Sequence, residues 1–234
     1  MLLSSVPSVV KQLLLPCAMA ACVSAATVTP SKPVIAIDPG HPSEVAVGDN
    51  IQNGTSEVHV AWQVALELKR ILQERGYTVV MTKSEEMQMV RNVERAEVGN
   101  RAGAALMVRL HCDASSDSGY ALYYPDRVGT AEGKTGPSED VMHRSRVAAD
   151  SMHAAMAPLL AGRLKNGGVR GDSRTLVGSR QGALTGSIFS RLPVVLIEMV
   201  TLSNARDAAF ITSDAGRSLM ARAIADGVDR ATRR

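Results

Sequence analysis

Apolar positions fall along the chain with two different periods. Residues 34–37, 77–82, 105–110 and 194–197 form short, nearly continuous apolar runs, the pattern of strands covered on both faces. Between the first two runs, Val60, Val64, Leu68, Ile71 and Leu72 recur every three or four residues. That spacing predicts a helix from about Glu57 to Arg75, capped by Thr55 or Ser56 and stopped by Gly76. Further along, the pattern predicts a helix over about 89–102, a strand over 119–124 and a loop over 125–137. A long helix is expected over about 140–164, with Pro158 as a point for a kink, and a short strand over 175–177. Terminal helices are expected over 207–211 and 216–231. Strands alternating with helices predict an α/β fold: a single domain over residues 34–234, with a mostly parallel, twisted sheet of about six strands and helices on both faces.

Composition narrows this reading. The chain has 234 residues, enough for one domain of this kind, and its 3% aromatic content leaves the core to aliphatic side chains and Met. The formal net charge of +3 and the lack of basic tracts outside the short tail 230–234 argue against a nucleic-acid partner. The first 25 residues read as a secretory signal: one charged side chain, Lys11, an apolar stretch over 13–21, and a small-residue cleavage site at Val23-Ser24-Ala25. An uncleaved anchor, or lipid attachment at Cys22, are the alternatives. Residues 26–33 form a spacer. After cleavage Cys112 is the one remaining thiol, so no internal disulfide is expected and no membrane span remains.

The chemistry sits where the apolar runs end. His111 follows the run 105–110, Glu198 follows 194–197, and His41 lies just past 34–37 in the turn Asp38-Pro39-Gly40-His41. Glu57 opens the first helix. A buried, unpaired carboxylate costs several kcal/mol, on the order of what one domain can spare. Strand ends in such a sheet line the ligand crevice. Two His and one Glu make a zinc-binding set, and another Glu nearby suits a general base.

These stretches resemble the zinc-dependent N-acetylmuramoyl-L-alanine amidases of bacterial cell walls. The likeness is carried by Asp38-Pro39-Gly40-His41, Glu57 at a helix start, Leu110-His111 and Pro193 through Glu198. It is supported by residues 66–82, by Arg95, by Asn100-Arg101-Ala102-Gly103-Ala104 and by Leu202-Ser203-Asn204. The resemblance implies that His41, Glu57 and His111 bind Zn2+ and that Glu198 is the catalytic carboxylate. The reaction it implies is hydrolysis of the amide between N-acetylmuramic acid and L-alanine of peptidoglycan. It also implies a periplasmic or extracellular location, a monomer, and peptidoglycan as partner, with an activator protein left open. Two further readings stand beside it. One is a degenerate amidase domain that binds peptidoglycan or regulates; the other is a zinc peptidase cutting within the stem peptide.

Four positions depart from the family pattern: Pro42, Ser43, Arg109 and Cys112, the last in place of a small residue. Pro42 and Ser43 stand where glycines usually follow the first His. Arg109 stands where a small residue is usual. By strand alternation it shares a face with His111, where it either pairs with Glu198 or binds an anionic substrate. Cys112 should face the other way and pack in the core. His59, His143 and His153 are read as ordinary helix residues; the segment 125–140 is read as too short to block the metal site, with Glu132 or Glu139 reaching the zinc as the minor alternative.

Overall fold

The computed structural model describes residues 1–2 and 32–233. The expected signal segment, its cleavage site, Cys22 and most of the spacer lie outside the described residues. Among the described residues, eight strands and seven α-helices follow in the order β1 (Val34–Pro39), α1 (Glu57–Glu74), β2 (Thr78–Met81), α2 (Asn92–Arg101), β3 (Leu106–Asp113), β4 (Tyr120–Tyr124), β5 (Gly129–Ala131), β6 (Lys134–Gly136), α3 (Glu139–Leu160), β7 (Asn166–Gly171), α4 (Gly178–Gln181), α5 (Thr185–Ile188), β8 (Val194–Thr201), α6 (Ala205–Thr212) and α7 (Asp214–Ala231).

Six strands form one sheet in the order β2-β1-β3-β8-β4-β7. Neighbours run parallel except at β4 and β8, which pair antiparallel. The expected mostly parallel sheet of about six strands is what forms. Alternation along the strands divides the core. Ile35, Ile37, Leu106, Val108, Leu110, Cys112, Val195 and Ile197 point to one face and pack in a large cluster with α1, α3 and α7. Ala36, Met107 and Val194 point to the other, where a small cluster meets α2 and the segment before β8. Asp38, Arg109, His111 and Glu198 have the same parity as this second set.

α1 forms as its periodicity predicts. Val60, Val64, Leu68 and Leu72 are buried in one stripe, and its axis runs beneath β1 and β3. Ser56 occupies the cap position in extended geometry, with no side-chain cap bond. α3 ends at Leu160, earlier than expected, because Gly162 turns the chain away at a positive φ of 72°. Pro158 falls in its last turn.

Two stretches depart from the sequence reading. The expected loop over 125–137 contains the hairpin β5–β6, closed by Glu132 and Gly133 at positive φ. The expected short strand over 175–177 is not one. The edge strand is β7, at residues 166–171, and it is followed by a single 3-10 turn at Asp172–Arg174. The chain then continues through α4 and α5 across the thinly covered face. Among the described residues, no helix is long and apolar enough to cross a membrane.

Candidate active site

Strand register builds the site in two layers. Asp38 of β1 lies beside Arg109 of β3, and His111 of β3 lies beside Glu198 of β8. Neighbouring strands are about 4.8 Å apart, so each pair is in side-chain reach. β3 runs on to Asp113 and β8 to Thr201, so His111 and Glu198 are not terminal. The register shifts between His111 and Asp113, a bulge of the kind that re-aims side chains near functional sites.

The upper layer gathers the first helix and the first turn around His111. Glu57, in the first turn of α1, places Oε1 2.9 Å from His111 Nδ1 and accepts from the Cys112 amide at 3.1 Å. Its Oε2 lies 3.3 Å from His41 Nε2. His41 donates Nδ1–H to the Ala46 carbonyl at 3.0 Å, which leaves the Nε2 lone pair facing the Glu57 carboxylate in the neutral ring. Two acceptors face to face require a cation between them, either a proton or a metal. His111 Nε2 is buried with no hydrogen-bond partner. One ligand atom from each of His41, Glu57 and His111 lies within 4.8 Å of the others. This donor set fits a divalent metal with an open position, and the Ala46 carbonyl supplies the outer hydrogen bond that orients a ligating His.

The backbone is shaped to these rings. At Gly40 a Cβ would sit 2.5 Å from His111 Cε1, and at Gly48 one would sit 2.6 Å from His41 Cβ. His41 itself adopts φ 54°, a left-handed conformation sparsely used outside glycine. Cations hold the carbonyls of this turn in place. Arg95 donates to Pro39 O and Pro42 O, both at 2.7 Å, and the Lys83 ammonium donates to His41 O. The short segment after His41 is thereby pinned, with Pro42 in a cis peptide bond.

The lower layer is a buried ion cluster. Asp38 is fully buried, with Oδ1 accepting from Arg95 at 2.7 Å and Thr82 at 2.5 Å. Its Oδ2 accepts from Arg109 Nε at 2.8 Å. Burial would raise the Asp38 carboxyl, but Arg95 and Arg109 overcome it and hold the group far below the usual carboxylate range. Arg109 also donates through Nη2 to Asn92 Oδ1 at 2.6 Å. Arg109 therefore pairs with Asp38 rather than with Glu198. Lys83, also buried, is pushed down to about 8 by burial and by Arg95.

Glu198 is the group left without a mate. Its Oε2 is buried and makes no hydrogen bond. Burial, with the Glu57 and Asp113 carboxylates nearby, pushes it well above the ordinary range, and Arg109 works only partly against this. Glu57 is driven the other way. Burial would raise it, but the two imidazoles outweigh burial and hold it well below its usual value. Burial lowers both imidazoles; at His41 the Glu57 carboxylate prevails and leaves it raised, and at His111 burial prevails.

A cleft of about 170 Å³ opens over these groups, lined by His41, Arg109, His111 and Glu198. Asn92 and Leu196 form its floor with Arg109. Thr175, Val177, Leu184 and Thr185, from the segment between β7 and β8, form the far wall. That segment is anchored by Asp172. Its Oδ2 accepts from Ser187 Oγ at 2.8 Å and from the Leu184 amide at 3.2 Å, and its Oδ1 is buried and unpaired. Burial pushes the Asp172 carboxyl up to about 6.

Of the residues singled out in the sequence, the structure lines one cleft with His41, Arg109, His111 and Glu198 and sets Glu57 against the two His rings. Sequence reasoning missed Asp38 as the partner of Arg109, and it missed Asn92, Lys83 and the 172–188 wall. The polar end of the first apolar run, Asp38 before Pro39-Gly40, was the available signal for the ion cluster. The remaining histidines stay apart. His59 pairs with Glu86 at 3.0 Å, His153 with Asn166 at 2.8 Å, and His143 is exposed. Glu132 is bound to Arg91 at 2.8 Å. Cys112 is buried in the large core cluster, facing away from His111.

Residues 35–230 match the N-acetylmuramoyl-L-alanine amidase family. The chain is 28% identical over 225 residues to N-acetylmuramoyl-L-alanine amidase AmiC of Neisseria meningitidis, covering 85% of this chain and 52% of that protein. It is 25% identical over 230 residues to N-acetylmuramoyl-L-alanine amidase Rv3717 of Mycobacterium tuberculosis, covering 88% of this chain and 90% of that one. The chain thus spans about half of the first relative and nearly all of the second. The fold is that of the apo form of Ami1 from Mycobacterium abscessus, with a TM-score of 0.67 at 22% identity, covering 85% of this chain and 98% of that one.

Proposed function

The chain belongs to the N-acetylmuramoyl-L-alanine amidase family, and from that premise we propose that it hydrolyses the amide joining N-acetylmuramic acid to the L-alanine of a peptidoglycan stem peptide, with zinc as its metal. The observation that carries this reading is the convergence of His41, Glu57 and His111 beside a buried, unpartnered Glu198.

His41, Glu57 and His111 would hold the ion. Bound there, zinc supplies a water acidified from a pKa of roughly 16 towards about 7 and a Lewis acid for the amide carbonyl. Glu198 takes the proton of the attacking water and passes it to the departing L-alanine nitrogen. Burial raises its affinity for the proton it must carry, and the charge of a zinc ion beside it would hold it ionised until it takes that proton. Asp38, clamped between Arg95 and Arg109, fixes β1 against β3 and so sets the spacing of His41 and His111. The far wall from Thr175 to Thr185 excludes water from one side of the cleft. The substrate implies action outside the cytoplasm, in line with the signal-like first 25 residues, and Arg109 serves the substrate side of the cleft.

The test is a paired assay on the chain and its Glu198→Gln variant. Bound zinc is quantified, and muropeptide digests are followed by mass spectrometry. Both proteins are expected to hold about one zinc per chain. Only the parent should release intact stem peptides from muramic acid, with the variant slower by 100-fold or more, about the scale of a lost general base. Cleavage within the stem, or a chain that holds no zinc, would overturn the reading.

A further inference from the structure

The ion cluster beneath the cleft is unbalanced. One carboxylate, Asp38, faces two buried guanidiniums, and Lys83 lies close enough to Asp38, Arg95 and Glu86 to feel their charges. The remaining contacts of Arg95 are carbonyl oxygens, of Val90, Pro39 and Pro42. They satisfy its hydrogens without adding negative charge. The two other carboxylates that feel Arg109, Glu198 and Asp172, make no hydrogen bond to it. Excess buried positive charge is costly unless an anion arrives to meet it.

Arg109 is the member of this cluster that reaches the cleft. Nε is held by Asp38 and Nη2 by Asn92, so the plane of the guanidinium is fixed. Nη1 makes no hydrogen bond among the described residues and passes over Gly186, where a Cβ would lie 2.8 Å away. Held in this way, the guanidinium offers Nη1 as a fixed, charged donor for one oxygen of a carboxylate. The surrounding wall is largely apolar, with Val177, Leu184 and Leu196, which strengthens a charged contact made there.

We propose that Arg109 is a specificity residue that binds a free carboxylate on the second residue of the stem peptide. Position selects that residue. Arg109 and His111 are alternate residues of β3, about 7 Å apart along the strand. Two residues of extended peptide, at roughly 3.5 Å each, cover the same distance from the scissile amide. The second stem residue is D-glutamate linked through its side chain. It leaves its α-carboxylate free in some walls and amidated in others, so Arg109 discriminates between the two. This assignment rests on the amidase reading.

Two measurements on the full chain test it. The first is calorimetric binding of two stem tetrapeptides, one with D-isoglutamate and one with D-isoglutamine at the second position, to the parent, Arg109→Met and Arg109→Lys. The parent should bind the free carboxylate about tenfold or more tighter than the amide, the scale of one charge-assisted hydrogen bond. Arg109→Met should lose the difference, and Arg109→Lys should keep a reduced one. The parent's own ratio is decisive even where a variant fails to fold. The second is hydrolysis of the matching muropeptides by the zinc-loaded parent, with the same preference expected in kcat/KM. Equal binding of the two peptides, or no binding of either, overturns the role of Arg109. A clear binding preference with neither muropeptide hydrolysed overturns the amidase reading and leaves carboxylate recognition standing.

Discussion

At the scale of single residues, the site depends on what certain positions lack. Gly40 has no side chain because the His111 ring occupies its place, 2.5 Å from where a Cβ would be. Gly40→Ala should push the ring aside and weaken metal binding by about tenfold or more, read by competition with a chelating dye. Asp172 carries a pH signature. Its carboxyl is raised from 3.8 to about 6 by burial, so the folded chain binds a proton that the unfolded chain has released. Stability contributed by this group is highest below about pH 4 and falls as pH rises through 6. The loss is roughly 3 kcal/mol at most, from about two pKa units. Urea unfolding of the parent and Asp172→Asn across pH 4–7 should show a fall in the parent that the variant lacks; parallel curves would refute it. Residues such as His111 and Glu198 were legible because an ionisable group closing an apolar run is conspicuous. Arg109 was legible in direction, by alternation, but not in partner. Which carboxylate it meets depends on register between β1 and β3, and periodicity carries no register.

Among the elements, those with strong periodicity were readable and those built by backbone approach were not. β7 is the clearest case. Its sequence, Asn-Gly-Gly-Val-Arg-Gly, has the composition of a loop. Glycine stands at 167 because a Cβ there would lie 2.7 Å from Tyr120 O, and at 119 because one would lie 1.9 Å from Lys165 O. The two chain segments come too close for side chains, so packing of β4 against β7 overrides propensity. The β5–β6 hairpin and the short α4 and α5 escaped notice because each is too short to show a period. The Leu202-Ser203-Asn204 motif gains a structural account at this level. The Leu202 carbonyl accepts from Asn53 Nδ2 at 2.7 Å, and Asn204 caps α6 by accepting from the amides of Arg206 and Asp207. Asn204→Ala should cost about 1 kcal/mol, seen as a lower denaturation midpoint with an unchanged m-value. A drop several times larger would mean that the motif does more than cap.

For the whole molecule, the α/β class and mostly parallel sheet were legible from alternating periods, whereas the reversal at β4 was not, since strand direction leaves no mark on composition. The three proposed ligand residues come from the turn after β1, from α1 and from β3, so an ion there would tie together segments distant in sequence. Cys112 is the free cysteine among the described residues, and no disulfide does this work. Chelation should therefore lower the Tm, with stability rising logarithmically in free zinc above the dissociation constant; a Tm indifferent to zinc would exclude such a tie. The two faces of the sheet are also unequally clothed. Three long helices and the large cluster back one side, while the cleft side carries a five-residue apolar cluster, the buried ion cluster and short segments. Stability is thus banked on the side that never meets substrate. The wall between β7 and β8, tied down chiefly at Asp172, supplies little of the core, so a change of its length or sequence should reshape the cleft and leave the fold standing.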